Sequence, residues 1–309
     1  MAAVTRNDLN ANVLQTWLRR QVLESFEPNL YFYAAGQSPD VPGGYNTIGW
    51  AKFTQIDEDD ITAGTTSTDG VTPTELAFNA TVITATPVQY RCIINLSDML
   101  IELNVINFLK GAAVAVGAAM ARRIDKVIQT EIMAGTRVIY GGVKTARTAL
   151  ASTDILVAND FNKANAILEY RFAPKLPGGF YMAYVHPFCV ADLRKETGTG
   201  NWLEVNKYTT SDKIFKGEIG MLNGIRIVMA PFVQTFTSTT TVYPTLVVGA
   251  GAYGVADFQT MRTYVTPAVS SDSDPLAQRR KVGAKVAFVA KRLQEDAMLR
   301  IETGATAIA

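Results

Sequence analysis

Apolar residues at Leu9, Val13, Trp17, Leu18, Val22 and Leu23 recur every three or four positions, and Pro28 closes the run. This spacing predicts a helix. Gly36 to Gly44 is loop-like in composition and leads into a strand-like run, Tyr45 to Phe53, that contains Trp50. Farther on, Val88, Tyr90, Cys92, Ile94 and Leu96 alternate with Gln89, Arg91, Ile93 and Asn95, the two-residue period of a strand. Between these runs, from Thr54 to Glu75, the chain is polar and offers no core face. Loops beyond ~12–15 residues are usually functional or disordered. The two runs are expected to form a protruding two-stranded arm with a polar tip.

The longest helical pattern follows, with Leu109, Ala113, Val116, Met120, Ile124 and Val127 on one face and Gly135 at the C-terminal cap. Ser97-Asp98 and Asn104 both suit its N-cap. Its centre is rich in Gly and Ala, which permits close approach of another backbone. Two helical stretches, Asn159 to Tyr170 and Pro187 to Arg194, then stand among short apolar runs at Phe180 to Val185, Ile225 to Ala230 and Val242 to Val248. Helices beside such runs predict a helix-covered sheet. Finally, Val282, Ala284, Val286, Phe288 and Ala290 alternate, and Ala297, Leu299 and Ile301 alternate again, the expected signature of an antiparallel pair with one wet face. The fold class is α+β.

Charge narrows the function. The 309 residues hold 29 Lys plus Arg and 28 Asp plus Glu, a formal net charge of +1, without the basic excess of a dedicated nucleic-acid binder. Only 18% of residues are charged, against ~25% in ordinary soluble domains. Such a surface suits burial against other subunits. Two cysteines, Cys92 and Cys189, and one histidine, His186, supply neither a disulfide framework nor a zinc site. The weakly polar run from Gly111 to Ala121 is far short of the ~20 residues that span a bilayer. The N-terminus has no apolar signal-peptide core. No membrane association and a reducing compartment are expected.

Candidate chemistry is sparse. Gly249-Ala250-Gly251-Ala252-Tyr253-Gly254 matches the dinucleotide pattern G-x-G-x-x-G after a strand, but no helix is visible behind it. A tight strand-exit turn is the better reading. His186 suits a strand-end residue bonded to backbone more than a general base. There is no G-x-S-x-G elbow, Walker A loop or H-E-x-x-H. The acidic run Asp57-Glu58-Asp59-Asp60 lacks the Gly and closing Glu of a calcium loop. Arg122-Arg123 and Arg279-Arg280-Lys281 are short basic runs suited to solvated or ion-paired faces. No catalytic residue, cofactor or metal is expected.

The order of parts and several local motifs carry a resemblance. They are Thr5-Arg6-Asn7-Asp8-Leu9 with Pro28-Asn29-Leu30, then Asp69-Gly70-Val71-Thr72-Pro73 with Glu75, and Phe215 to Val228, the most specific. Leu246 to Gly249 with Ala252-Tyr253-Gly254-Val255, Asp274 to Arg279, Val282 to Lys285 and Ala297 to Glu302 follow in order. Across nearly the whole chain this resembles the major capsid proteins of tailed bacteriophages, in a podovirus-type family. Their shell fold is shared with herpesvirus capsid floors and encapsulins.

The resemblance implies a structural subunit of an icosahedral shell around packaged double-stranded DNA. It implies an N-terminal arm at 1–44, an extended loop at 45–96, a spine helix near 104–134 within 97–154, an axial domain at 155–255, and peripheral strands with the C-terminus at 256–309. The partners it implies are copies of the chain in hexamers and pentamers, a separate scaffolding protein, a portal and a decoration protein, with DNA bound without sequence specificity. The place it implies is the virion, assembled in the bacterial cytoplasm. An encapsulin-like compartment is the alternative, and a nucleotide-binding enzyme using 249–254 a remote one. Charge alone suggests that Asp57, Glu58, Asp59 and Asp60 of one subunit meet Arg279, Arg280 and Lys281 of a neighbour.

Overall fold

The computed structural model describes residues 17–24, 30–39, 47–53, 79–103, 107–196, 218–266 and 274–306. Asp57 to Asp60, Asn104 and the first half of the expected N-terminal helix lie outside these residues. Residues 17–24 form helix α1, with Leu18 and Val22 buried.

The central element is helix α3, Phe108–Met133. Its cap is Asn107, whose side chain accepts from the Lys110 amide at 3.0 Å. Ser97 instead caps the short helix α2, Asp98–Leu103, accepting from the Leu100 amide at 3.3 Å. Gly135 follows the last turn and donates to the Ile132 carbonyl at 3.0 Å. Leu109, Ala113, Val116, Met120 and Ile124 are buried, as their spacing requires. Each large aliphatic on that stripe contributes about 1.5–3 kcal/mol through burial.

This stripe packs on a three-stranded antiparallel sheet of order β10–β11–β3, made of Tyr253–Thr266, Arg279–Arg292 and Val88–Ser97. The pairing corrects the expected arm. Strand β1, Ile48–Phe53, pairs not with 88–96 but with β2, Ala80–Ala85, in a two-stranded ribbon. The alternating run is β3, which pairs with β11 from Val88↔Phe288 to Arg279↔Ser97. Alternation identifies a half-buried strand but says nothing about its partner. Tyr90, Cys92, Ile94 and Leu96 pack against the main core, which holds β3 in the body of the molecule.

The larger sheet has the order β4–β12–β9–β5–β7–β6, with β8 (Phe236–Thr237) paired to β9. Its strands are Val138–Tyr140, Met298–Thr303, Thr241–Val248, Tyr181–Val185, Ile225–Met229 and Glu218–Leu222. Helices α4, Ala158–Tyr170, and α5, Pro187–Lys195, add Phe161, Leu168, Val190 and Leu193 to the core it shares with α3. Here the second correction arises. β12 does not pair with β11; it runs antiparallel to β9 and parallel to β4. All six of its residues are buried, so it has no wet face. Its polar residues misled the pattern. The Glu302 carboxylate is held by the Arg147 guanidinium through two bonds of 2.6 and 2.7 Å, and it ion-pairs with Arg300 at 2.7 Å.

Candidate functional site

Three features stand out as working parts rather than core. The first is a strap, residues 30–39, lying over the body. Asp125 is buried on α3 and accepts the Tyr31 amide at 2.9 Å and the Phe32 amide at 3.4 Å. The Phe32 carbonyl accepts from the buried Tyr253 hydroxyl, and Tyr33 donates its hydroxyl to Asp257 at 2.7 Å. Gln37 then bridges to β10, donating to the Tyr253 carbonyl and accepting from Val255, each at 2.9 Å. Burial pushes the Asp125 carboxyl up to about 7, although both strap amides favour its charged form. Sequence reading missed Asp125. Its one signal is position: it continues the Gly117, Ala121 row at four-residue steps, an acid on a buried stripe.

The second feature is the base of the β1–β2 ribbon. Ile48 and Trp50 form a small core with Ala256 and Val289, and the Trp50 indole N–H donates to the Gln37 carbonyl at 3.3 Å. Gly254 makes room for that indole, since a Cβ there would lie 2.3 Å from Trp50 Cε2. Gly251, at φ +67°, turns the chain from β9 into β10. The glycine pattern at 249–254 therefore opens a strand, not a helix. The phosphate-binding geometry of a dinucleotide site is not formed there.

His186 caps α5. Its Nδ1 accepts from the Phe188 amide at 3.3 Å, and its ring lies 5.0 Å from Phe188 and 4.8 Å from Tyr243. Burial pulls its pKa down. Burial also pushes the Cys189 thiol up to about 12, which keeps it protonated and unreactive. Among the described residues no three His, Cys, Asp or Glu side chains stand together as a metal site. Among the described residues no helix is long and apolar enough to cross a membrane.

The third feature is the basic end of β11. The sequence grouped Arg279, Arg280 and Lys281, but the strand separates them. Arg279 and Lys281 are exposed, whereas Arg280 is half-buried and alternates with them, on the side of Val282 and Ala284. Arg122 and Arg123 lie over the rings of Phe232 and Tyr90, at 5.2 and 5.0 Å. Large apolar side chains also face outward, among them Val143 at 98%, Phe172 at 85% and Tyr170 at 83% exposed. Phe172 does so at φ +53°, an uncommon conformation for a bulky residue.

The chain resembles the capsid of Ralstonia phage GP4, with a TM-score of 0.68 and 15% identity over 90% of this chain and 87% of the other. It carries the capsid fold of tailed phages. The cyanophage Pam1 capsid matches with a TM-score of 0.66 and 12% identity over 92% and 93% of the two chains. The virus-like particle from Pyrococcus furiosus matches less well, with a TM-score of 0.57 and 9% identity over 93% and 99%. In sequence, residues 129–262 match the phage capsid protein family. No curated protein matches.

Proposed function

We propose that this chain is the structural subunit of an icosahedral phage shell that encloses double-stranded DNA. The capsid fold over about nine-tenths of the chain, with a capsid-family match inside it, carries the reading. The surface supports it. Exposed aromatic and aliphatic side chains such as Tyr170, Phe172 and Val143 suit subunit contacts, which monomers rarely leave open as patches. The head-to-tail contacts of a ring or cage suit a molecule with a strap at one end of its chain and a ribbon projecting from its body.

In this reading residues 1–44 are an arm, the segment between β1 and β2 laps a neighbour, α3 is the spine, and 155–255 meet at the fivefold and sixfold centres. Hexamers and pentamers form the shell. A separate scaffolding protein guides it, and a portal and decoration protein complete it in the bacterial cytoplasm. The shell has no catalytic step to perform.

The test is sedimentation velocity and negative-stain microscopy of the purified chain, with the scaffolding protein co-produced. Hexamers, pentamers or closed shells are expected. Monomer alone under these conditions overturns the proposal. Particles that hold protein cargo and no nuclease-protected DNA would instead select the encapsulin-like compartment.

A further inference from the structure

Helix α4 ends in an arrangement that is unfavourable for a lone subunit in two ways. The Ala173 amide donates to the Leu168 carbonyl and the Phe172 amide to the Glu169 carbonyl, each at 3.0 Å. This pair of bonds closes a helix through one left-handed residue, and glycine is the usual occupant of that position. Here the occupant is Phe172, at φ +53°. Backbone strain of this kind persists where the surroundings or a function require it. Packing within the subunit does not require it, because the Phe172 ring is left in water. Tyr170, the last residue of the helix, is exposed beside it.

Two residues farther on, Pro174 walls a hollow of about 320 Å³ at the base of the ribbon. Trp50, Phe53, Ile83 and Leu293 bring large apolar side chains to it, and Lys52 is the one charged residue of its lining. An apolar cavity of roughly 150 Å³ already takes up a benzene ring. The hollow therefore has room for the ring of a phenylalanine with the edge of a tyrosine beside it. The subunit's own Phe172 is not part of the lining. The same surface thus carries an unfilled apolar hollow and, next to it, an apolar knob held out in a strained conformation.

We infer that Tyr170 and Phe172 anchor a twofold contact with a second copy of the chain, in which each copy's Phe172 enters the other's hollow. Complementarity selects the occupant. The charged residues beside the knob are already paired, Glu169 with Lys175 at 2.7 Å and Arg171 with Asp296 at 2.9 Å. The knob therefore lacks the free cations with which a protein holds a nucleic-acid backbone. Knob and hollow adjoin, since the Cα atoms of Phe172 and Pro174 are at most ~7.6 Å apart. A knob and a hole side by side are met by the same surface after a half-turn, so the contact is isologous, with its axis beside Pro174. The two rings expose about 300 Å² per copy. Covered in both directions, with the walls that cover them, they remove about 1,200 Å² from water, the lower end of a standard interface. The inference rests on the shell reading for the identity of the partner, and it adds a twofold contact to the head-to-tail ones.

The test uses the full-length wild type, Phe172→Gly, Phe53→Ala and an equimolar mixture of the two variants. Sedimentation equilibrium of the unassembled chain measures dimer formation, and circular dichroism measures subunit melting. Light scattering with the scaffolding protein present measures particle yield. Removing an anchor weakens a contact by about tenfold or more. The contact is made twice, so either variant should raise the dimer dissociation constant about a hundredfold and lower particle yield. Glycine relieves the left-handed position, so Phe172→Gly should melt at the same temperature as wild type or higher. In the mixture, the knob of the Phe53→Ala copy meets the intact hollow of the Phe172→Gly copy. One of the two contacts is thereby restored, and the mixed dimer should be about tenfold tighter than either variant alone.

Unchanged dimer formation and particle yield in Phe172→Gly overturn the inference and leave the shell reading standing. So does a fall in the melting temperature of that variant in step with its loss of association, which would assign Phe172 to the stability of its own subunit. So does a mixture no tighter than its components, or a wild type that forms shells but no dimer. If Phe53→Ala does not fold, Phe172→Gly decides alone. A wild type that forms neither dimers nor shells is a separate result, and it refutes both readings.

Discussion

Asp125→Asn tests the strap most directly. The Asp125 carboxyl is buried on α3 and holds two strap amides, and burial lifts its pKa from 3.8 to about 7. In the folded state it keeps its proton in the window between these values, where the unfolded chain has lost it. Unfolding then releases a proton, so stability falls as pH rises from about 4 to about 7 and levels off above. At about 1.4 kcal/mol per unit, a shift of roughly three units amounts to about 4 kcal/mol across the window. Asparagine is neutral throughout. Its oxygen can keep the Tyr31 bond, but its amide group faces the Phe32 N–H, at a cost of about 1 kcal/mol. The variant should therefore be less stable than wild type by about 1 kcal/mol near pH 4, more stable by about 3 kcal/mol at pH 8, with the curves crossing between.

The assay is urea denaturation of the unassembled subunit from pH 4 to 8, followed by circular dichroism. His186, whose lowered pKa makes stability fall as pH drops through its window, and Asp160, whose pKa burial raises, titrate in both proteins and cancel in the difference. Parallel pH profiles for wild type and variant, or a variant less stable at pH 8, would refute the reasoning.

Gly254→Ala should cost about 1–3 kcal/mol, because its Cβ meets the Trp50 indole at 2.3 Å and the ribbon base must shift. A lowered melting temperature with red-shifted tryptophan emission checks this, and an unchanged spectrum and melt would contradict it. His186→Ala should cost about 1 kcal/mol of subunit stability, the worth of a helix cap, and leave particle yield unchanged. An assembly defect in a subunit that melts normally would give His186 a role beyond the cap. The Cys189 thiol, pushed up by burial, should stay unreactive toward an aromatic disulfide reagent until the chain is unfolded. Rapid labelling of native Cys189 would show that the site opens.

Helices with a clean apolar stripe were legible. The α3 row from Leu109 to Ile124 and the α4 face with Phe161, Ala164 and Leu168 are buried where the spacing puts them. Short apolar strands such as Tyr181–Val185 were legible for the same reason. Strand partners were not. Period-two alternation in 88–97 encodes which side is covered, but its partner β11 lies nearly two hundred residues away. β12 was misread because a buried ion pair, Glu302 with Arg147 and Arg300, has the same letters as a wet face. Asp125, and Gln129 of α3, whose side chain donates to the Phe232 carbonyl and accepts from the Gln234 amide, were invisible because their partners are backbone atoms of distant segments, which carry no sequence signature.

The position of β12 makes the large sheet depend on one closure. Residues 298–303 fill the gap between β4 and β9. While they are unpaired, β9 keeps one hydrogen-bonding edge open, and the buried Glu302 that neutralises Arg147 is out of place. Long-range pairing of this kind closes late and leaves a partly folded chain prone to wrong contacts. Detachment of this single strand would cut the sheet in two, with β4 on one side and the strands from β9 to β6 on the other.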